Sequence, residues 1–198
     1  MFKMKFLIAI FLIATNSFCV EQNTKEQMFQ LAVRDVARGF SKHDSLLLSK
    51  YIYREIGVHL LYRNGVFNTY TSFRKINFSD ASYPVVLFQF SKGITPLPLR
   101  YQQLPVYNCA KESWNKKGSF VDTTTIDHLL SKICSERNRY ASDNISQKTI
   151  NTFINLENKS RRVVLVDQNK KELVFYLSYI NRRWYVTMFD SVSSDCSV

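Results

Sequence analysis

The order of elements along the sequence predicts an α+β fold: N-terminal helices packed on a curved, mostly antiparallel sheet, with a helical insertion before a C-terminal three-strand meander. Three observations carry this. The first half opens with helical periodicity and then changes to strand-forming residues, the region after Thr123 returns to helical spacing, and the last 36 residues read as strand, turn, strand, turn, strand. At 198 residues, 45% hydrophobic, the chain is long enough for one well-packed core and too short to favour two ordinary domains.

Met28, Leu31, Ala32, Asp35 and Val36 fall three or four apart, which predicts a helix from Thr24, with Gln27 in the capping-box position and Gly39 near the end. A second helix is expected from Asp44 to Tyr53, opened by an N-cap acid. Strands are expected from Gly57 to Tyr62 and from Val66 to Phe78, with Asn64-Gly65 as the hairpin turn between them. The apolar run Pro84 to Phe90 predicts a strand covered on both faces.

Ile94 to Asp122 carries three prolines and little periodicity. Helices follow at Thr124 to Asn138, opened by Thr123 or Thr124, and at Ser146 to Glu157. The meander is Val163 to Val166, Glu172 to Ile180 and Trp184 to Phe189, turning at Gln168-Asn169 and Asn181-Arg182. In the last strand Trp184, Val186 and Met188 alternate with Tyr185, Thr187 and Phe189, so one set faces the core, with Trp184 inward and Tyr185 on the outer or insertion-covered face.

Residues 1–19 read as a signal peptide, and 20–198 as a single α+β domain. Lys3 and Lys5 give a basic start, Phe6 to Ala14 is uninterrupted and apolar, and Thr15, Asn16 and Ser17 end the run short of the about 20 residues a membrane span needs. The protein is expected to be exported, periplasmic or extracellular, with no transmembrane segment in the mature chain. Lipid anchoring at Cys19 is the alternative, although bulky Phe18 departs from the small residue a lipobox places before its cysteine.

Without Lys3 and Lys5 the net charge of +11 falls to +9. Outside the cytoplasm such a basic surface favours anionic envelope components over nucleic acid, which is not an expected partner. The pairs Lys116-Lys117, Arg161-Arg162, Lys170-Lys171 and Arg182-Arg183 lie near predicted turns or strand ends and read as solvated corners.

Cys109, Cys134 and Cys196 remain after cleavage, enough for one disulfide in an oxidising compartment. Ile126, Leu129, Leu130, Ile133 and Cys134 share a helical face, which makes Cys134 a small buried apolar residue. The favoured pair is Cys109 with Cys196, with Cys109–Cys134 as the alternative.

No nucleotide-binding glycine loop, zinc-protease, serine-hydrolase or Cys-x-x-Cys pattern is present, and no metal site, cofactor or catalytic residue is assigned. Of the three histidines, His43 lies at a helix start, His128 stands beside Asp127 with no protease signature around it, and His59 shares a strand face with Gly57 and Leu61, opposite Val58, Leu60 and Tyr62. Asp122, Asp167 and Asp190 sit at element edges, where capping and turn roles are common.

The N-terminal helix followed by "FSKHDSLLLSKYI", together with "VFYLSYINRRWYVTMFD", is similar to the cone-shaped folds of the nuclear-transport-factor-2-like superfamily. "HDSLLLSKYI" and "GVHLLYRNGVF" also resemble small exported proteins of Bacteroidetes-type bacteria. Ile94 to Ser160 departs from a minimal cone fold, which has no such insertion. The resemblance implies a pocket between the helix and a curved sheet, with His59, Tyr62, Arg63, Tyr176 and Tyr185 as ligand-binding candidates.

Two functions follow as expectations. The first is a non-catalytic exported protein binding a small molecule or an anionic envelope component. The alternative is a small cone-fold enzyme of isomerase, dehydratase or hydrolase type, pairing His59 with Asp122 or Asp190. For the leader, N-terminal sequencing of the exported protein should find a start near Val20 or Glu21; retention of Met1 would contradict the signal peptide.

Overall fold

The computed structural model describes residues 24–79, 92–95 and 97–197. The expected signal peptide, Cys19 and the expected strand Pro84 to Phe90 lie outside the described residues.

Helix α1 occupies residues 24–42 and runs past Gly39. Gly39 serves the packing of α1 on α2 (Ser45–Ser49), because a Cβ there would stand 2.7 Å from Leu48 Cδ2. The helix stops at His43, whose φ of 53° is left-handed; Asp44 N–H then donates to Gly39 O and His43 N–H to Phe40 O, the paired bonds of a Schellman stop. Asp44 caps α2 through Leu47 N–H, and α2 ends four residues before the expected Tyr53.

Strands β1 (Val58–Asn64) and β2 (Phe67–Phe73) form the expected hairpin, but the two-residue loop is Gly65-Val66. Positive φ at Gly65 alone fits a type II′ turn, which asks for glycine first. The proline-bearing region holds β3 (Leu99–Tyr101), β4 (Tyr107–Asn108), β5 (Ser113–Trp114) and β6 (Gly118–Val121), each too short for alternation to show in the sequence.

Helix α3 spans Leu129–Tyr140 and begins five residues later than expected. Asp122 accepts from Thr124 N–H and from the Thr124 and Thr125 hydroxyls, holding that stretch as a turn, and Ile126 stands exposed ahead of the helix. Helix α4 (Gln147–Glu157) falls where a helix is expected, with Ser146 as its N-cap, accepting from Thr149 N–H. The meander comprises β7 (Ser160–Val166), β8 (Glu172–Ile180) and β9 (Arg183–Asp190).

Seven strands form one sheet in the order β2-β1-β9-β8-β7-β6-β3, antiparallel except at β1/β9 and β3/β6. The fold is therefore α+β, with a mostly antiparallel sheet that does not close into a barrel. On the first face the apolar side of α1, with Phe29, Val36 and Phe40, packs on Val163, Phe175, Leu177, Trp184 and Val186. On the second, Leu130, Ile133, Cys134, Ile150 and Phe153 of α3 and α4 pack on Leu61, Tyr176 and Met188.

The alternation expected in β9 breaks at a bulge, where Tyr176 pairs with Met188 while Leu177 pairs with Val186. The extra residue, Thr187, puts Met188 in the second-face cluster and Phe189 in the first. Cys109 and Cys196 are disulfide-bonded across a separation of 87 residues, and Cys134 is a free, buried thiol. In the loop-entropy treatment a closure of that length contributes about 4–5 kcal/mol.

Trp184 is 5% exposed, contacts Phe29 and Tyr179 edge-on or tilted at 4.9 and 5.0 Å, and donates its indole N–H to Lys25 O. Tyr185 is half-buried on the opposite side, against Tyr53. Trp184→Ala should therefore cost about 3–5 kcal/mol, and Tyr185→Ala about 1 kcal/mol. Urea denaturation of both variants checks this, and equal small losses would contradict a core role for Trp184.

Candidate functional site

Strand β7 sends its two adjacent arginines to opposite faces, so Arg161-Arg162 is not a solvated corner. The Arg162 guanidinium donates to Asp190 Oδ2 at 2.6 Å, to Asp127 Oδ2 at 3.2 Å and to Ser193 Oγ at 2.6 Å. Asp190 is fully enclosed and also accepts from Val192 N–H, Ser193 N–H and Ser193 Oγ. Tyr176 O–H donates to Asp127 at 2.8 Å.

Burial works against the Arg162 charge, but Asp190, Tyr176 and Asp127 outweigh it and raise its pKa. Burial also raises the Tyr176 pKa well above the usual phenol value, keeping it a donor. The cluster ties β7, β8, the end of β9 and the segment before α3 together, and removing one partner from such a pair typically costs about 3–5 kcal/mol.

A second enclosed carboxylate, Glu157, closes α4 and caps α3. It accepts from Leu130 N–H at 2.7 Å, Ser131 N–H at 3.2 Å and Ser131 Oγ at 2.6 Å, with His128 Nδ1 at 3.5 Å. His128 offers α3 no side-chain cap, so the helix takes its N-terminal acceptor from 27 residues away.

The five ligand candidates from the sequence do not converge. His59 lies on the second face, 5% exposed, sharing a 2.7 Å hydrogen bond with Ser72 and edge-on to Phe153. Tyr62 packs against the first-face core. Arg63 binds the C-terminal tail at Ser197 O and Asp195, Tyr176 belongs to the Arg162 cluster, and Tyr185 lies tilted against Tyr53. His59, Asp122 and Asp190 each bond elsewhere, to Ser72, to Thr124 and Thr125, and to Arg162 and Ser193.

An open groove of about 480 Å³ lies where the N-terminal end of α1, the segment after β6 and the start of β7 meet. Lys25, Lys159 and Arg161 bring three cations to its lining, against one carboxylate, Asp122. Hydrogen bonds from Thr124 and Thr125, offset in part by burial, lower the Asp122 pKa and keep it ionised. Thr123, Thr125, Ser160 and Asn158 add polar groups, and Ile126, Tyr179 and Trp184 add apolar surface.

Cation–aromatic contacts organise this wall. Lys25 Nζ stands 4.2 Å from the Tyr179 ring centre, and the Arg161 guanidinium 5.0 Å from that of Trp184 and 4.8 Å from that of Phe29, while Arg161 also pairs with Glu26 at 2.7 Å. Asp122 and Trp184 of this lining stand out in the sequence, where Arg161 reads as a corner residue; Lys25, Lys159 and Tyr179 do not, because no single segment carries them together.

Among the described residues, no group of three His, Cys, Asp or Glu side chains could hold a metal ion, and no helix is long and apolar enough to cross a membrane. No family model, no curated protein and no solved structure matches the chain. Fold and groove together define an open-sheet α+β protein with a basic, aromatic-backed groove.

Burial, followed by the nearby Arg74 charge, lowers the His59 pKa from 6.5 to about 4. Between those values the unfolded chain binds more protons than the folded one, so stability falls as pH drops through the window, by roughly 3 kcal/mol in full. Urea midpoints measured from pH 7 to 4 should show His59→Gln losing less stability than the wild type over this range. Identical pH slopes would overturn the assignment.

Proposed function

We propose that the chain is an exported, non-catalytic binding protein that takes a small anionic molecule in the groove formed by Lys25, Lys159 and Arg161. The observation that carries this reading is the lining itself: three cations and one carboxylate around polar groups, on an aromatic wall. Two of the cations are held over rings, so their charge is positioned before a ligand arrives, which lowers the ordering cost of binding. The Thr123 hydroxyl suits a remaining oxygen of a phosphate, sulfate or carboxylate group, whereas the Thr125 and Ser160 hydroxyls already donate to Asp122 and to Leu156 O.

Export is supported by the basic, apolar leader and by the Cys109–Cys196 disulfide, which persists in an oxidising compartment. The placement is periplasmic or extracellular.

Inorganic phosphate, sulfate and citrate serve as probes in thermal unfolding. Bound at about 100 times its dissociation constant, a ligand adds about 2.7 kcal/mol to stability, and the melting temperature of the wild type should rise with at least one probe. Lys159→Glu and Lys25→Gln, both outside the core, should lose most of that rise while melting near the wild type without ligand. No response to any probe, or an equal response in the variants, would overturn the groove as the binding site.

A further inference from the structure

A second basic surface, separate from the groove, lies on the corner of α1 and α2. Arg34, Arg38 and Lys42 are exposed and spaced four apart, one line along about 12 Å of helix. Lys50 continues the surface beyond α2, and Arg38, Lys42, Asp44, Leu46, Leu47 and Lys50 line a shallow depression of about 390 Å³. Leu46 stands between these cations with 80% of its surface exposed, and Leu31, at 42%, lies one turn before Arg34.

The acidic groups on this surface face inward or are engaged. Asp35 is 8% exposed, accepts from Tyr51 O–H at 2.8 Å, and pairs with Arg38 at 3.2 Å and Arg34 at 3.6 Å from beneath. Asp44 accepts from Leu47 N–H as the cap of α2.

We infer that this corner docks on an anionic lipid bilayer, with Leu46 entering the headgroup region and Lys42, Lys50, Arg38 and Arg34 meeting lipid phosphates. An apolar tip ringed by long cationic side chains matches the bilayer interface, where hydrocarbon is buried while the charges stay at headgroup level. Each lysine or arginine near an anionic membrane surface contributes on the order of 1 kcal/mol, within reach of a Debye length. A soluble polyanion such as nucleic acid would use the cations but gain nothing from Leu46, which decides for the bilayer.

The test is partitioning of the full chain onto vesicles of phosphatidylcholine alone and of phosphatidylcholine mixed with phosphatidylglycerol. The readout is the ratio of anionic to neutral binding, to which the apolar leader contributes equally in every variant. The wild type should prefer anionic vesicles, and the preference should shrink at high salt.

Lys42→Glu/Lys50→Glu should cut the ratio by about tenfold or more, and Leu46→Ser should weaken binding to anionic vesicles by about tenfold, the loss of one buried leucine. Both should melt near the wild type, since all three positions are exposed. Lys159→Glu, in the groove, should leave the ratio unchanged, so the docking surface can fail without the groove failing. The inference is overturned if the wild type shows no anionic preference, if Leu46→Ser binds as the wild type does, or if only a DNA duplex depends on Lys42 and Lys50.

Discussion

Everything in this fold hangs on the parallel pairing of β1 with β9, where His59, Leu60 and Leu61 stand beside Met188, Phe189 and Asp190. Neither strand could find the other through a short turn, because well over a hundred residues separate them, and closing such a loop is repaid only by extensive burial. The pairing joins the N-terminal hairpin to the C-terminal meander and makes seven strands of two smaller sets. It also fixes which side chains each helical layer meets. Leu60 and Phe189 fall under α1, while Leu61 and Met188 fall under α3 and α4.

The second face shows what that register achieves. Ser72, His59, Met188, Tyr176 and Arg162 form one row across five strands, polar at both ends and apolar in the middle. The helical insertion has to cover this row, and it does so with Phe153 over His59 and with Asp127 reaching Arg162 and Tyr176. Ser160, Ser178 and Thr187 continue the polar pattern as a chain of hydroxyl contacts at 2.6 Å. Buried polar contacts of this kind favour one seating of the insertion, since a shift would part Asp127 from Arg162 and Tyr176. The cations that meet solvent lie instead at the groove and at the helix corner.

Local chemistry was legible in the sequence and distant chemistry was not. The β1/β2 hairpin, the disulfide partners, the inward Trp184 and the buried Cys134 each depend on spacing within a segment or on a residue's own character. The start of α3 was misplaced because its cap is Glu157, in the next helix. The bulge at Thr187 inverted the faces of Met188 and Phe189 without any trace in composition. Arg161-Arg162 resembled a solvated pair, yet Asp190 and Glu26, which decide their fates, lie 28 and 135 residues away. The groove was least visible of all, since its lining is drawn from both ends of the chain and from two segments between.

The covalent link between Cys109 and Cys196 encloses α3, α4 and all of β6 through β9 in a single ring of chain. Such a ring changes what a protease can do. The turn between α3 and α4, with Ser142 and Asn144 both exposed and in left-handed conformations, is an open target. A cut there leaves both new ends on one molecule, the fragments still joined through sulfur and held by Asn138 and Ile145 on either side of the break. Cleavage before Cys109 has no such safeguard, and there the pieces would stay together through noncovalent contacts such as the β1/β9 pairing and the packing of α1.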